Sequence, residues 1–108
     1  MQGFLVLEPD RDVFELIELI LRVAGFTVVF DAESAEAVIV DPAYPDLFQR
    51  AVELKQRHPR LRIVCVSIAP PEPHVIEALA PSAYLQKPFA RGELLAALGA
   101  ARTTHPPT

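Results

Sequence analysis

The chain has 108 residues, a formal net charge of −4 at pH 7 and a hydrophobic content of 51%. This length suits one domain around one core, and the acidic balance argues against direct binding of nucleic acid. No apolar run is long enough to span a membrane and no signal peptide opens the chain, so we expect a cytoplasmic protein without a membrane segment.

The first half of the chain alternates between short apolar runs and one amphipathic segment. Phe4–Leu7 is predicted to be a strand, and a helix is predicted from about Asp12 to Ala24 because apolar residues recur there at helical spacing. Gly25 is the residue expected just after that helix. The run Phe26–Phe30 is rich in β-branched residues and is predicted to be the second strand.

The link from the second strand to the third is unusually short. Only Asp31–Glu36 separates the second strand from Ala37–Val40, the apolar run predicted as the third strand. Six residues cannot hold an ordinary crossover helix, although they can span about 20 Å when extended. We therefore expect a parallel pairing of non-neighbouring strands without a helix between them, and an apolar sheet face that has lost its cover.

The second half continues the alternation. Helices are predicted at about Asp46–Arg57, at His74–Ala80 and at Arg91–Ala101, with strands at Leu61–Val66 and Ala83–Gln86 between them. The whole pattern predicts an α/β domain over residues 1–102, with helices on both faces of a parallel sheet. The polar tail, residues 103–108, is predicted to be disordered.

Four polar residues follow predicted strands at one rim of this sheet. Glu8 follows the first strand, Asp41 the third, Ser67 the fourth and Lys87 the fifth. Ligands bind at the carboxyl ends of strands in open α/β sheets. Carboxylate and carbonyl oxygens are suitable ligands for Mg²⁺, and a lysine and a hydroxyl are suitable partners for a phosphoryl group. A carboxylate that faces both the metal ion and the phosphoryl group can act as a nucleophile. On its own, Asp41 could also be a helix cap or an Asx-turn residue, and Lys87 could also be a solvated lysine in a turn.

The segments around these residues resemble the receiver domain of two-component response regulators. The resemblance rests on Leu5-Val6-Leu7-Glu8, on Val38-Ile39-Val40-Asp41 with Pro45 four residues later, on Val66-Ser67-Ile68 and, most specifically, on Tyr84-Leu85-Gln86-Lys87-Pro88-Phe89. It covers almost the whole chain. It implies a flavodoxin-like fold, with five parallel strands in the order 2-1-3-4-5.

The resemblance also implies roles for the rim residues. Asp41 would be the phosphoacceptor, Lys87 would pair with the phosphoryl oxygens, and Ser67 would hydrogen-bond the phosphoryl group. Tyr84 would act with Ser67 as the switch by moving inward on phosphorylation. The Lys87–Pro88 bond would be cis, which an X-Pro bond adopts at low cost.

A Mg²⁺ site is implied at the same place. Its ligands would be Glu8, Asp41 and the backbone carbonyl of Ala43. The family usually has a second acid directly after the first, but here that residue is Pro9, so Mg²⁺ binding could be weak or absent. Asp10 could substitute for the missing acid, although it could also be a helix N-cap.

Two functions follow from the resemblance. In the first, the chain is not an enzyme in its own right but a phosphorelay receiver that accepts phosphate on Asp41 from a histidine kinase or phosphotransfer protein. Phosphorylation would act on a binding surface formed by residues 74–80, 83–86 and 91–101. The same surface could also form a homodimer. In the alternative, the chain is a pseudo-receiver that acts in interaction or dimerisation without phosphorylation. Pro9, the missing helix and the three prolines within residues 70–73 favour this alternative.

Overall fold

The structure, a computed structural model, describes residues 3–102, with side chains through residue 99. The predicted disordered tail, residues 103–108, lies outside the described residues. No helix in the described part is long and apolar enough to cross a membrane. The elements in chain order are β1 Gly3–Leu7, α1 Arg11–Val23, β2 Thr27–Val29, β3 Ala37–Val40, α2 Pro45–Arg57, β4 Arg62–Ser67, α3 Pro73–Leu79, β5 Ala83–Gln86 and α4 Arg91–Arg102.

The five strands form one parallel sheet in the order β2-β1-β3-β4-β5, which confirms the predicted flavodoxin-like architecture. The register aligns the carboxyl ends of the central strands. Leu7 pairs with Val40, and Val40 pairs with Cys65 on the other side. The residues that follow these strands therefore meet at one rim of the sheet.

Alternating residues along each strand supply two separate cores. One face, with Phe4 and Ile39, packs against α1 and α4. The opposite face, with Leu5 and Val38, packs against α2 and α3. Buried strand residues on both faces are typical of a parallel sheet covered on each side by helices.

The link between β2 and β3 contains no helix, as its length predicted. The expectation that the sheet face beside it would be exposed is wrong, because Leu5 and Leu7 are buried there. The link itself packs on this face through Ala32 and Ala35. A side-chain hydrogen bond, in which the Asp31 carboxylate accepts from the Ser34 amide at 2.8 Å, holds the link in a compact shape.

Gly3 allows this close packing. The Glu36 amide donates to the Gly3 carbonyl at 2.7 Å, which fixes the link against β1. A Cβ atom at position 3 would lie 2.6 Å from Val29 Cγ1 and 3.0 Å from the Ser34 carbonyl oxygen. A glycine at the start of β1 thus makes room for the short β2–β3 link, which covers the sheet in place of a helix.

Helix boundaries differ slightly from the sequence-based expectations because of caps. Helix α1 begins at Arg11, since the Asp10 side chain accepts from the backbone amides of Asp12 and Val13. Helices α2 and α3 begin with Pro45 and Pro73, in the first turn where the missing N–H costs no helical hydrogen bond.

Candidate functional site

The polar residues at the strand ends are buried. Among residues 3–99, the buried polar or charged residues are Glu8, Asp41 and Ser67, and each stands at the carboxyl end of a central strand. Burying a charge is costly unless it is paired. Three such residues at one rim of one sheet therefore indicate a functional site rather than ordinary protein surface.

Lys87 joins the two buried carboxylates. Its Nζ lies 2.7 Å from Asp41 Oδ2 and 2.7 Å from Glu8 Oε1. The side chains of Glu8 and Asp41 are 0% and 3% exposed, and that of Lys87 is 11% exposed. We call Glu8, Asp41 and Lys87 the acid–lysine triad. With two acids and one cation, it carries a formal charge of −1.

The remaining oxygens of both carboxylates bind backbone amides. Glu8 Oε2 accepts from the Asp10 amide at 3.1 Å, and Asp41 Oδ1 accepts from the Ala43 amide at 3.0 Å. Each of the four carboxylate oxygens of the triad thus has a partner within the protein. Three of these oxygens are hydrogen-bonded within the protein, whereas the buried Glu8 Oε1 has the Lys87 ion pair but no regular hydrogen bond.

The electrostatics of the triad favour a charged lysine. Burial lowers the pKa of Lys87, but the hydrogen bonds and charges of Asp41 and Glu8 outweigh burial and raise its pKa above the ordinary value. Lys87 is therefore a fixed positive charge next to the Asp41 carboxylate at neutral pH.

The β5–α4 loop directs Lys87 to the site. The Lys87 amide donates to the Ser67 carbonyl at 2.8 Å, which extends the pairing of β4 with β5 by one step. The Lys87–Pro88 peptide bond is cis. The hydrogen bond to Ser67 holds Lys87 against the end of β4, from which its side chain reaches Asp41 and Glu8.

Ser67 and Tyr84 belong to a second network beside the triad, centred on Ala69. Ser67 Oγ accepts from the Ala69 amide at 3.2 Å, and the Tyr84 hydroxyl donates to the Ala69 carbonyl at 2.8 Å. The pKa of Tyr84 is raised by burial and by nearby charge, including Asp41, although a hydrogen bond with Ser67 opposes the rise. Both predicted switch residues, at the end of β4 and in β5, are thus hydrogen-bonded to the β4–α3 loop.

Sequence reasoning missed a cavity at this loop. A cavity of about 260 Å³ lies between the loops that follow β3 and β4, with Ala43, Phe48, Ala69 and Tyr84 among its walls. The His74 ring also lines it and packs edge-to-face on Phe48, with ring centroids 5.5 Å apart. No sequence motif indicated this cavity, because its walls come from segments far apart in the chain.

The expected Mg²⁺ ligands do not fit that ion in this arrangement. Mg²⁺ needs near-octahedral oxygen ligands, whereas Lys87 lies between the two carboxylates and the other carboxylate oxygens hold backbone amides. The Asp10 carboxylate accepts from the amides of Asp12 and Val13 as the cap of α1, which is the other role considered for it. Among the described residues, no three His, Cys, Asp or Glu side chains form a group that could hold a metal ion.

Comparison with known proteins identified the fold. No family model matches the chain, and no curated protein matches it either. Solved structures do match. CheY4 of Vibrio cholerae superposes with a TM-score of 0.79 at 18% identity, covering 94% of this chain and 98% of CheY4. HP1043, an orphan response regulator of H. pylori, superposes with a TM-score of 0.77 at 20% identity, covering 94% and 97% of the two chains.

A third structure, NtrX of Brucella abortus, is longer. It superposes with a TM-score of 0.78 at 24% identity over 94% of this chain, which spans only 26% of NtrX. These similarities show that the chain has the CheY-like fold of response regulator receiver domains. At such identities they carry the fold alone, so the chemistry of the site rests on its own geometry.

Proposed function

We propose that this chain is a cytoplasmic receiver module of a phosphorelay, in which Asp41 accepts a phosphoryl group from a phosphohistidine of a histidine kinase or phosphotransfer protein. The observation that carries the proposal is the 2.7 Å contact between Lys87 Nζ and Asp41 Oδ2 at the carboxyl rim of the sheet. The receiver fold of the chain and of CheY4 supports the same reading.

The chemistry is a displacement at phosphorus. An Asp41 carboxylate oxygen forms a bond to phosphorus while the bond from phosphorus to the donor imidazole nitrogen breaks, and its electron pair stays on that nitrogen. The product is an acyl phosphate on Asp41. Lys87, held in place by the β5–α4 loop, neutralises part of the charge on the transferred oxygens without having to move far.

The network at Ala69 offers a route from phosphate to conformation. A phosphoryl group on Asp41 would be a strong acceptor for the Ser67 hydroxyl proton, and rotation of Ser67 Oγ toward it would break the hydrogen bond that Oγ now accepts from the Ala69 amide. Releasing that bond frees the β4–α3 loop and, with it, the Ala69 carbonyl that holds Tyr84. Phosphorylation would thus shift the populations of loop conformations, within limits set by Pro70, Pro71 and Pro73.

A second candidate function, a phosphorylation-independent interaction module, is favoured by one observation. All four carboxylate oxygens of the acid–lysine triad already have protein partners, and Pro9 stands where the family has an acid. A site of this kind can serve purely to hold the strand ends together. This candidate keeps the fold and gives Asp41 a structural role.

Intact-mass measurement separates the two candidates. The protein is incubated with acetyl phosphate or phosphoramidate, with and without Mg²⁺. The receiver proposal predicts the gain of one phosphoryl group that Asp41→Asn abolishes. The control, Asp46→Asn, removes an exposed acid at the start of α2 and should leave the gain unchanged. If no mass is gained under either condition, the receiver proposal fails and the interaction module remains.

A further inference from the structure

Helix α1 presents an uncovered apolar stripe on its outer face. Leu16, Leu19 and Val23 are 48%, 59% and 68% exposed, although the opposite side of the same helix is fully buried in the core. Their spacing of three and four residues is that of the a, d and a positions of a heptad, the seam by which two helices pack together. No other element in the described part of the chain exposes three large apolar side chains.

A groove extends the stripe on one side. Two adjoining cavities of about 430 and 310 Å³ share Leu16 and Phe89, and their walls include Ile68, Pro88 and Leu19. Ile68 is itself 77% exposed. Contiguous apolar surface of this kind marks an interaction site more often than isolated exposed residues do.

The other edge of the stripe is charged. In the heptad register set by Leu16 and Leu19, Glu15 and Arg22 occupy successive g positions, and both side chains are well exposed. In an antiparallel pair of helices, g positions of one helix face g positions of the other. Two copies of α1 packed antiparallel would thus bring Glu15 of each copy opposite Arg22 of the other.

From this complementarity we infer that α1 is a homodimer interface, formed with a second copy of the chain around a two-fold axis. Leu16 of each copy packs against Leu19 of the other, and two symmetric Glu15–Arg22 pairs set the antiparallel direction. The pairs inside each helix, Arg11–Glu15 at 3.6 Å and Glu18–Arg22 at 3.2 Å, are exposed and cost little to exchange.

This interface differs from the one that the receiver resemblance implied. On α3, β5 and the described part of α4, the exposed large apolar residue is Ile76, at 42%. The apolar surface that a dimer needs is therefore on α1. The inference does not depend on whether Asp41 is phosphorylated.

The first test is the molar mass in solution. Light scattering or sedimentation over a range of concentrations should give a dimer of the 11.9 kDa chain. Leu19→Glu should weaken dimerisation by about tenfold or more, because it buries a charge in an apolar seam. Ile76→Glu is the matched control and should change nothing. A monomer at all concentrations, or loss of the dimer in Ile76→Glu but not in Leu19→Glu, overturns the inference.

The second test uses exchange of charges and leaves the apolar seam intact. In a dimer of Glu15→Arg, each of the two facing pairs consists of two arginines. In a dimer of Arg22→Glu, each of these pairs consists of two glutamates. Each single variant should dimerise about tenfold more weakly than the parent. An equimolar mixture of the two should form heterodimers with parental affinity, because every facing pair is again of opposite charge. A mixture that stays monomeric overturns the antiparallel arrangement.

Discussion

Lys87 Nζ lies 2.7 Å from Asp41 Oδ2 although 46 residues separate the two in the chain. The same Nζ lies 2.7 Å from Glu8 Oε1. One lysine therefore pairs with two carboxylates from different strands and ties the carboxyl ends of β1 and β3 to the loop after β5. This connection makes the site a structural element of the fold as well as a place for chemistry.

Removing the lysine should destabilise the fold. Lys87→Met leaves two carboxylates buried without their cation, and breaking a buried ion pair from one side costs about 3–5 kcal/mol. The free energy of unfolding from urea titration at pH 7 checks this. Arg50→Met, at an exposed position of α2, is the control and should stay within about 0.5 kcal/mol of the parent.

The same experiment can separate the contribution of the ion pairs to stability from the contribution of side-chain packing. Adding Glu8→Gln and Asp41→Asn to Lys87→Met removes the unpaired charges and should recover part of the lost stability. If the triple variant is as unstable as Lys87→Met alone, the loss comes from packing of the lysine side chain and not from charge.

Alkaline pH should weaken the fold through buried groups. Burial, with the charge of Asp41, raises the pKa of the Cys65 thiol from 9.0 to about 12. The folded state therefore holds this proton more tightly than the unfolded state, so its contribution to stability is complete below pH 9 and is lost between pH 9 and 12. The raised pKa values of Tyr84 and Lys87 act in the same direction at somewhat higher pH.

Unfolding free energies measured from pH 7 to 11 check this expectation. Above pH 9, stability should fall with a slope of up to about 1.4 kcal/mol per pH unit for each such group. Cys65→Ala should flatten the first part of that fall, whatever its effect at pH 7. Identical slopes in the parent and Cys65→Ala would contradict the assignment to this thiol.

Gly3 should tolerate no side chain. Gly3→Ala forces a Cβ atom to within 2.6 Å of Val29 Cγ1 and 3.0 Å of the Ser34 carbonyl, and overpacking of this kind costs about 1–3 kcal/mol. Gly92→Ala is the matched control, since nothing lies within 4 Å of a Cβ there and alanine favours the helix. Thermal unfolding of the two variants should therefore shift in opposite directions. A neutral Gly3→Ala would mean that the β2–β3 link can move away from β1.

Asp10 should matter for its helix and not for the site. Asp10→Ala removes the oxygen that accepts from the amides of Asp12 and Val13, which should cost about 1 kcal/mol. Asp10→Asn keeps a capping oxygen and should be nearly neutral. Urea titration measures both. If Asp10→Asn instead weakened Mg²⁺ binding or phosphoryl uptake, Asp10 would belong to the site after all.

Mg²⁺ binding should improve when the missing acid is restored. Pro9→Asp places a carboxylate directly after Glu8, and a gained ligand should raise affinity for Mg²⁺ by about 10–100-fold. Calorimetric titration of the parent and the variant measures the change. Pro9→Asn is the control, because it removes the proline without adding charge. Equal affinities for Pro9→Asp and Pro9→Asn would show that the carboxylate does not reach the ion.

Local patterns in the sequence were enough to predict the parallel sheet, the missing helix and the residues at the rim, while the strand order came from the resemblance to receiver domains. Hydrophobic runs with a period of two or of 3.6 depend only on near neighbours in the chain, and the segment Lys87-Pro88-Phe89 is specific in itself. The carboxyl ends of parallel strands then had to meet at one edge. The gathering of Glu8, Asp41, Ser67 and Lys87 follows from that topology.

The tertiary structure alone decided which atoms of those residues are in contact. Whether Lys87 bridges both acids and whether the β2–β3 link covers the sheet depend on contacts between segments far apart in sequence. The exposure of Leu16, Leu19 and Val23 is of the same kind. Helical periodicity indicated an amphipathic helix, but packing against the sheet and α4 decided which apolar residues of α1 the core buries.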